Sequence, residues 1–142
     1  PGAAIGGADI PGGYLGPRKT LLVVDDVATN RALLRDLLGA LGFRILEADN
    51  GVSALRQAKI EPPDLVLMDM VMPDMDGIEA TRRLRAEPGS ANTPVLIISA
   101  SSTQEEGLRA IAAGADAFLG KPIDEQALLG EIGARLKLQW IK

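Results

Sequence analysis

Aspartates follow two apolar runs of the chain. Asp25 and Asp26 come directly after residues 21–24, and Asp69 comes directly after residues 65–68. A run of four to eight apolar residues that ends at polar residues is typical of a buried parallel strand. If the two strands are neighbours, three carboxylates converge, and each like-charged pair about 4 Å apart costs on the order of 4 kcal/mol at an effective dielectric constant near 20. The sequence therefore predicts a bound cation at this point, and a reaction that uses it.

Two further apolar runs end at polar side chains. Residues 94–98 lead into Ser99, and residues 117–120 lead into Lys121. The carboxyl ends of parallel strands lie along one edge of a sheet, where open α/β proteins bind their ligands. We therefore expect the acids, a hydroxyl group and an ammonium group to lie along that same edge.

The elements that must position these side chains alternate along the chain. The predicted strands cover residues 20–25, 43–47, 64–68, 94–98 and 116–119, and the predicted helices cover residues 28–41, 51–60, 75–86, 102–113 and 124–137. This alternation is typical of a parallel sheet covered by helices on both faces. The expected fold is a flavodoxin-like (βα)₅ three-layer sandwich with strand order 2-1-3-4-5, in which the first and third strands are neighbours. That order would bring Asp25, Asp26 and Asp69 together.

Two regions of different composition divide the chain. Residues 1–18 are rich in glycine and proline and show no hydrophobic periodicity, which predicts a linker. Residues 19–142 are predicted to form one domain, a length that allows a sizeable core. The chain begins at Pro1 rather than at a methionine, and we expect it to be a fragment of a longer protein.

Composition excludes several classes of function. The sequence has no cysteine and no histidine, which rules out disulfides, cysteine or histidine zinc sites and Ser-His-Asp triads within it. The formal net charge of −4 and the aromatic content of 3% argue against binding to nucleic acid. No apolar stretch approaches the roughly 20 residues of a membrane span. We expect this segment to make no membrane contact and to be cytoplasmic.

The strand-end residues match a known pattern. The matching segments are Val24-Asp25-Asp26, the run from Met68-Asp69 to Asp76-Gly77, Ser99-Ala100 and Lys121-Pro122. Together they resemble the receiver domain of two-component response regulators, over about residues 19–138. Residues 13–19 and 138–141 are more narrowly similar to receiver modules fused to sensor histidine kinases. That second resemblance implies a hybrid kinase as the parent protein, one that can be anchored in a membrane.

The resemblance implies a role for each acid. Asp69 would be the phosphoacceptor, a carboxylate nucleophile that takes a phosphoryl group from a phosphohistidine on a histidine kinase or a histidine phosphotransfer domain. Asp25, Asp26, Asp69 and the backbone carbonyl of Val71 would hold Mg²⁺, with Mn²⁺ as the alternative ion. Lys121 would pair with a phosphoryl oxygen.

The resemblance also implies a switch. Ser99 would hydrogen-bond the phosphoryl group, and Phe118 would move inward as the loop beside it rearranges. The altered surface would comprise the fourth helix, fifth strand and fifth helix, which would serve partners and a homodimer contact. The resemblance further implies a cis bond between Lys121 and Pro122.

Two other functions compete with this one. A degenerate receiver would act only as an interaction module and would have lost an acid or the lysine, but none is lost here. A Mg²⁺-dependent aspartyl-phosphate phosphatase would carry a second acid two residues after its nucleophile, where this chain has Val71. Whether the chain counts as an enzyme stays open, because a receiver assists its own phosphorylation and dephosphorylation while a hybrid parent would be a kinase.

Overall fold

The computed structural model describes residues 11–101 and 103–141. Its strands are β1 (Gly13–Tyr14), β2 (Thr20–Val24), β3 (Arg44–Ala48), β4 (Leu65–Asp69), β5 (Val95–Ser99), β6 (Ala117–Gly120) and β7 (Trp140–Ile141). Its helices are α1 (Ala28–Ala40), α2 (Gly51–Ile60), α3 (Gly77–Ala86), α4 (Gln104–Ala112) and α5 (Glu125–Leu136), with a short 3₁₀ turn at Pro88–Ser90.

The central sheet contains five parallel strands in the order β3-β2-β4-β5-β6. Counted among the parallel strands alone, this is the predicted order 2-1-3-4-5, so the flavodoxin-like prediction is confirmed. β2 and β4 are direct neighbours, with Leu21 opposite Leu65 and Val24 opposite Met68. The register therefore brings the ends of these two strands level with each other.

Alternate residues of the strands point to opposite faces of the sheet, and each face has its own core. One core includes Val24, Met68 and Ile97 and is covered by α2, α3 and α4. The other includes Leu67 and Ile98 and is covered by α1 and α5. Because the middle strands are buried on both faces, they appear in the sequence as unbroken apolar runs rather than as alternating patterns.

Side-chain caps mark where several helices begin. The carboxylate of Asp76 accepts a hydrogen bond from the Glu79 amide at 2.8 Å at the start of α3. Thr103 caps α4, and its hydroxyl oxygen accepts from the Glu106 amide. The fourth helix was predicted from residue 102, but Ser102 lies outside the described residues.

The terminal segments differ from the sequence-based expectation. Residues 1–10 of the predicted linker lie outside the described residues, but Gly13–Tyr14 forms a strand that pairs antiparallel with Trp140–Ile141. Tyr14 stacks on Phe43 with ring centroids 4.6 Å apart, and Trp140 meets both rings edge-on. The latter part of the predicted linker is therefore packed onto the domain. We call this β1–β7 pair and its aromatic contacts the terminal clasp.

In the part of the chain that the structure describes, no helix combines the length and the apolar character needed to cross a membrane.

Candidate functional site

The turn between β2 and α1 carries the first two acids. The Asp25 amide donates to the Ala48 carbonyl at 3.1 Å, and the Asp25 carboxylate accepts from the Val27 amide at 2.8 Å. Asp25 is buried, with 4% of its surface exposed, whereas Asp26 is exposed. Backbone contacts on both sides of Asp25 thus fix a buried carboxylate at the end of the strand.

Asp69 is the last residue of β4 and is also buried. The loop that follows returns closely over it, because the Gly77 amide donates to the Met70 carbonyl at 2.8 Å. A Cβ atom on Gly77 would lie 2.3 Å from the Asp69 carbonyl oxygen. Only a residue without a side chain allows this approach, so Gly77 determines how α3 begins beside the acid.

Lys121 reaches the acids from the end of β6. Its ammonium nitrogen lies 2.9 Å from Asp69 Oδ1 and 3.6 Å from Asp25 Oδ2. Its amide donates to the Ser99 carbonyl at 2.8 Å, which aligns it with the end of β5. The Lys121–Pro122 peptide bond is cis, as the resemblance implied.

Burial and neighbouring charge shift the pKa values of this pair. Burial raises the pKa of the Asp69 carboxyl, and the charges of Asp25 and Asp26 raise it further, while the hydrogen bond from Lys121 acts in the opposite direction. Burial alone lowers the pKa of Lys121, but the hydrogen bond and charge of Asp69, together with the charge of Asp25, outweigh burial and raise it. Lys121 therefore stays protonated at neutral pH, and Asp69 ionises less readily than an ordinary aspartate.

The three carboxylates form a set that fits a hard cation. One oxygen from each of Asp25, Asp26 and Asp69 lies within 4.8 Å of the other two. Carboxylate oxygens are preferred ligands of Mg²⁺, and one ammonium group does not balance three negative charges. A divalent ion would supply the two missing positive charges, so the donor set is compatible with the predicted metal.

The remaining predicted residues lie around this cluster. Ser99 ends β5, is fully buried, and its hydroxyl oxygen accepts from the Ser101 amide at 3.1 Å. Val71 lies in the loop two residues past Asp69 and is 70% exposed. Phe118 in β6 is half-buried and lies against Gly107 of α4, where an added Cβ would be 3.3 Å from the ring. Phe118 thus links β6, which leads into Lys121, to α4, a helix of the surface that the predicted switch would alter.

Comparison with known sequences identifies the family of this chain. The family model of the response regulator receiver domain matches residues 21–133, a range that contains the four strand ends of the parallel sheet at which Asp25, Asp69, Ser99 and Lys121 lie. The chain belongs to this family. The receiver domains of two-component systems therefore provide its context.

Individual relatives of this receiver include both free-standing and fused proteins. Protein PilH of Pseudomonas aeruginosa is 37% identical over 116 residues, which are 82% of this chain and 96% of PilH. Sensor histidine kinase RcsC of Salmonella typhi is 41% identical over 108 residues, which are 76% of this chain but 11% of RcsC. The chain thus matches nearly the whole length of one relative and a small part of another.

A solved structure resembles the receiver closely. It is the receiver domain of sensor histidine kinase PA1611 from Pseudomonas aeruginosa PAO1, described with a magnesium ion coordinated in the active site cleft. The two share a TM-score of 0.79 and 27% identity, over 85% of this chain and 99% of the other.

Sequence reasoning gave no role to two residues that shape the receiver's site. Gly77 was part of the matching motif, and its position directly after an N-capping aspartate was a signal for a close backbone approach. Arg31 was not singled out, yet its guanidinium Nη1 donates to the Asp25 carbonyl at 2.7 Å. No spacing rule points to such a contact, because its acceptor is a backbone atom.

Proposed function

We propose that this receiver accepts a phosphoryl group on Asp69 from a phosphohistidine of a histidine kinase or a histidine phosphotransfer domain, with Mg²⁺ as cofactor. The observation that carries the proposal is the cluster of Asp25, Asp26 and Asp69 with Lys121 only 2.9 Å from the Asp69 carboxylate. A cluster of carboxylates that can bind a divalent cation beside an ammonium group suits phosphoryl transfer, which depends mainly on positioning and electrostatic stabilisation.

Each side chain has a task in this transfer. An Asp69 carboxylate oxygen forms a bond to phosphorus as the bond from phosphorus to the histidine nitrogen breaks. Asp25, Asp26, Asp69 and the Val71 carbonyl would hold the metal, which supplies positive charge that offsets the phosphoryl oxygens. Lys121 exchanges its contact with Asp69 for one with a phosphoryl oxygen, and the Ser99 hydroxyl donates to another.

The donor would dock on an apolar groove beside the acids. This groove, of about 530 Å³, lies between α1 and the start of α5, and its lining includes Leu33, Leu37 and Ile123 as well as Asp69. Four leucines, at positions 33, 34, 37 and 38, form a stripe along α1, and Leu33 is the one that is 71% exposed. An exposed leucine at the edge of a groove that reaches the phosphoacceptor supports docking of an apolar helix face from the donor.

The output surface would be formed by α4, β6 and α5. Leu108 and Ile111 are 64% and 49% exposed and lie three residues apart, on one side of α4. Phe118 lies under the same helix, so a shift of Ser99 towards phosphate and of Phe118 inward would alter this side. We propose it as the surface for the next partner and for a homodimer.

A phosphorylation assay separates this proposal from its alternatives. Incubation with Mg²⁺ and acetyl phosphate, followed by intact-protein mass spectrometry, should detect one added phosphoryl group. Asp69→Asn should abolish this adduct, whereas the matched control Asp74→Asn, an exposed acid of the same loop, should retain it. No adduct on the unaltered chain would favour an interaction module without phosphorylation, and sustained hydrolysis of unrelated phosphomonoesters would favour a phosphatase.

We further propose that the parent protein is a hybrid sensor kinase with this receiver in the cytoplasm. The similarity to part of RcsC and the terminal segments 13–19 and 138–141 support this assignment. Sequencing the gene on both sides of this segment tests it, since a histidine kinase core encoded in the same reading frame is the expected result.

A further inference from the structure

Arg31 connects the metal-binding turn to two other elements of the fold. It lies in the first turns of α1, and its side chain is 18% exposed. Nη1 donates to the Asp25 carbonyl at 2.7 Å, and Nε donates to Glu47 of β3 at 3.2 Å. A planar guanidinium can make both contacts at once in a fixed geometry, which a lysine ammonium cannot reproduce.

These contacts complete the support of Asp25. Its amide is held by the Ala48 carbonyl, its carboxylate Oδ1 by the Val27 amide, and its carbonyl by Arg31. With the backbone held on both sides of its Cα atom, the carboxylate of Asp25 has little freedom to turn away from Asp69. We infer that Arg31 is a positioning residue for cation binding, which fixes the turn of Asp25 and Asp26 so that their carboxylates face Asp69.

The position of Arg31 in α1 makes the effect of its charge on metal binding opposite in sign to the effect of its contacts. A positive charge near the N-terminus of a helix is disfavoured by the helix dipole, and α1 has no acid in its first turn and no side-chain cap at Val27. The charge of Arg31 also opposes a second cation at the adjacent acids. A role through charge alone would therefore weaken metal binding, so its removal would tighten binding. A role through positioning predicts the opposite sign.

The inference rests on the proposed metal site and is tested by Mg²⁺ titration of the full chain in a calorimeter. We expect Arg31→Ala to raise the dissociation constant about tenfold, in the range seen when groups that orient metal ligands are removed. Arg31→Lys keeps the charge but loses the paired geometry, and should raise it about threefold. The matched control is Arg35→Ala, because Arg35 pairs with the same Glu47 at 3.5 Å without contacting Asp25.

A kinetic readout distinguishes positioning from a general loss of structure. In the acetyl phosphate reaction, Arg31→Lys should need more Mg²⁺ for half-maximal rate but should reach the rate of the unaltered chain at saturation. Circular dichroism at 25 °C establishes that each variant is folded. If Arg31→Ala does not fold, Arg31→Lys still separates the two roles, because a role through charge alone predicts unchanged Mg²⁺ binding and a role through positioning predicts weaker binding.

Three outcomes overturn the inference: unchanged or tighter Mg²⁺ binding by the Arg31 variants, an equal loss in Arg35→Ala, or a lower saturating rate with unchanged Mg²⁺ dependence. They leave the proposed function intact, provided that the unaltered chain binds Mg²⁺ and is phosphorylated. Failure of the unaltered chain to bind Mg²⁺ would remove both proposals.

Discussion

Replacing Lys121 with methionine tests the electrostatics of the site most directly. Its ammonium nitrogen is 2.9 Å from Asp69 and 3.6 Å from Asp25. At an effective dielectric constant near 20, these distances correspond to gross attractions of about 6 and about 5 kcal/mol. Methionine has a similar length and no charge, so Lys121→Met removes both attractions while filling most of the same space.

The net effect is smaller than the gross attraction. Bringing the lysine out of water opposes the attraction, and breaking one side of a buried pair usually costs about 3–5 kcal/mol. Lys121 is 26% exposed, and Asp69 can bind a proton when its partner is lost. We therefore expect Lys121→Met to lower the free energy of unfolding by about 2–3 kcal/mol at neutral pH without Mg²⁺. Lys59→Met, at an exposed position of α2, is the control and should change it by less than about 0.5 kcal/mol.

The pH dependence follows from the pKa shifts. Because the pKa of Lys121 is raised, its stabilising contribution is complete below the ordinary lysine pKa and is lost only as pH rises through the higher folded value. Because the pKa of Asp69 is raised, this carboxyl becomes neutral as pH falls through a folded pKa that is higher than its ordinary value. The cost of Lys121→Met should therefore shrink on acidification, and also when Mg²⁺ is added.

The assay is urea unfolding followed by far-ultraviolet circular dichroism, on four proteins: the unaltered chain, Lys121→Met, Asp69→Asn and the double variant. We expect Lys121→Met to cost at least about 1.5 kcal/mol less in the Asp69→Asn background, because the nearer of the two buried negative charges is then absent. An equal cost in both backgrounds, or a cost that grows on acidification, would refute the electrostatic reasoning.

Two further predictions concern packing and docking. Gly77→Ala should destabilise the protein by about 2 kcal/mol or more and abolish the Asp69 phosphoryl adduct, since its Cβ would collide with a backbone carbonyl. The control is Gly39→Ala, where a Cβ meets nothing within 4 Å, and it should stabilise the protein by about 0.5–1 kcal/mol in the same urea titration. Comparable losses of stability in both variants would contradict the packing argument. Leu33→Ala should slow phosphoryl transfer from a phosphohistidine protein about tenfold without slowing phosphorylation by acetyl phosphate. The control Ile60→Ala, at a position 72% exposed on α2, should slow neither reaction. Equal effects of Leu33→Ala on both donors would place the docking surface elsewhere.

The parallel sheet could be predicted because its middle strands are buried on both faces. Every residue of β4 and β5 is buried, so each strand is an unbroken apolar run with a polar residue near its end. Parallel strands bring those ends to one edge, and the strand order then places Asp69 near Asp25 and Lys121. Prediction succeeded here because burial, element type and site position all follow from the same pattern.

The terminal clasp could not be predicted by the same means. β1 and β7 have two residues each and come from opposite ends of the chain, so neither contains a detectable period. Their pairing depends on Tyr14 and Trp140 meeting Phe43 in three dimensions. The exposure of Leu33 could not be predicted either. The leucine stripe of α1 is wider than the part of the helix that packs on the sheet, so its outermost leucine stays exposed.

The hydrogen bonds that hold the acidic site explain why only some of its residues could be predicted from the sequence. Asp25 is held by the Val27 amide, the Ala48 carbonyl and Arg31, and two of these contacts involve backbone atoms of the partner residue, which every residue type offers. Such contacts fix position but leave the repulsion among the carboxylates largely in place, and Lys121 balances only part of it. The pKa of Asp69 is raised first by its burial and then by the negative charges of Asp25 and Asp26, and a divalent cation would oppose both effects. Cation binding and the stability of this sheet edge should therefore be coupled, so that any substitution that loosens the Asp25 turn changes both together.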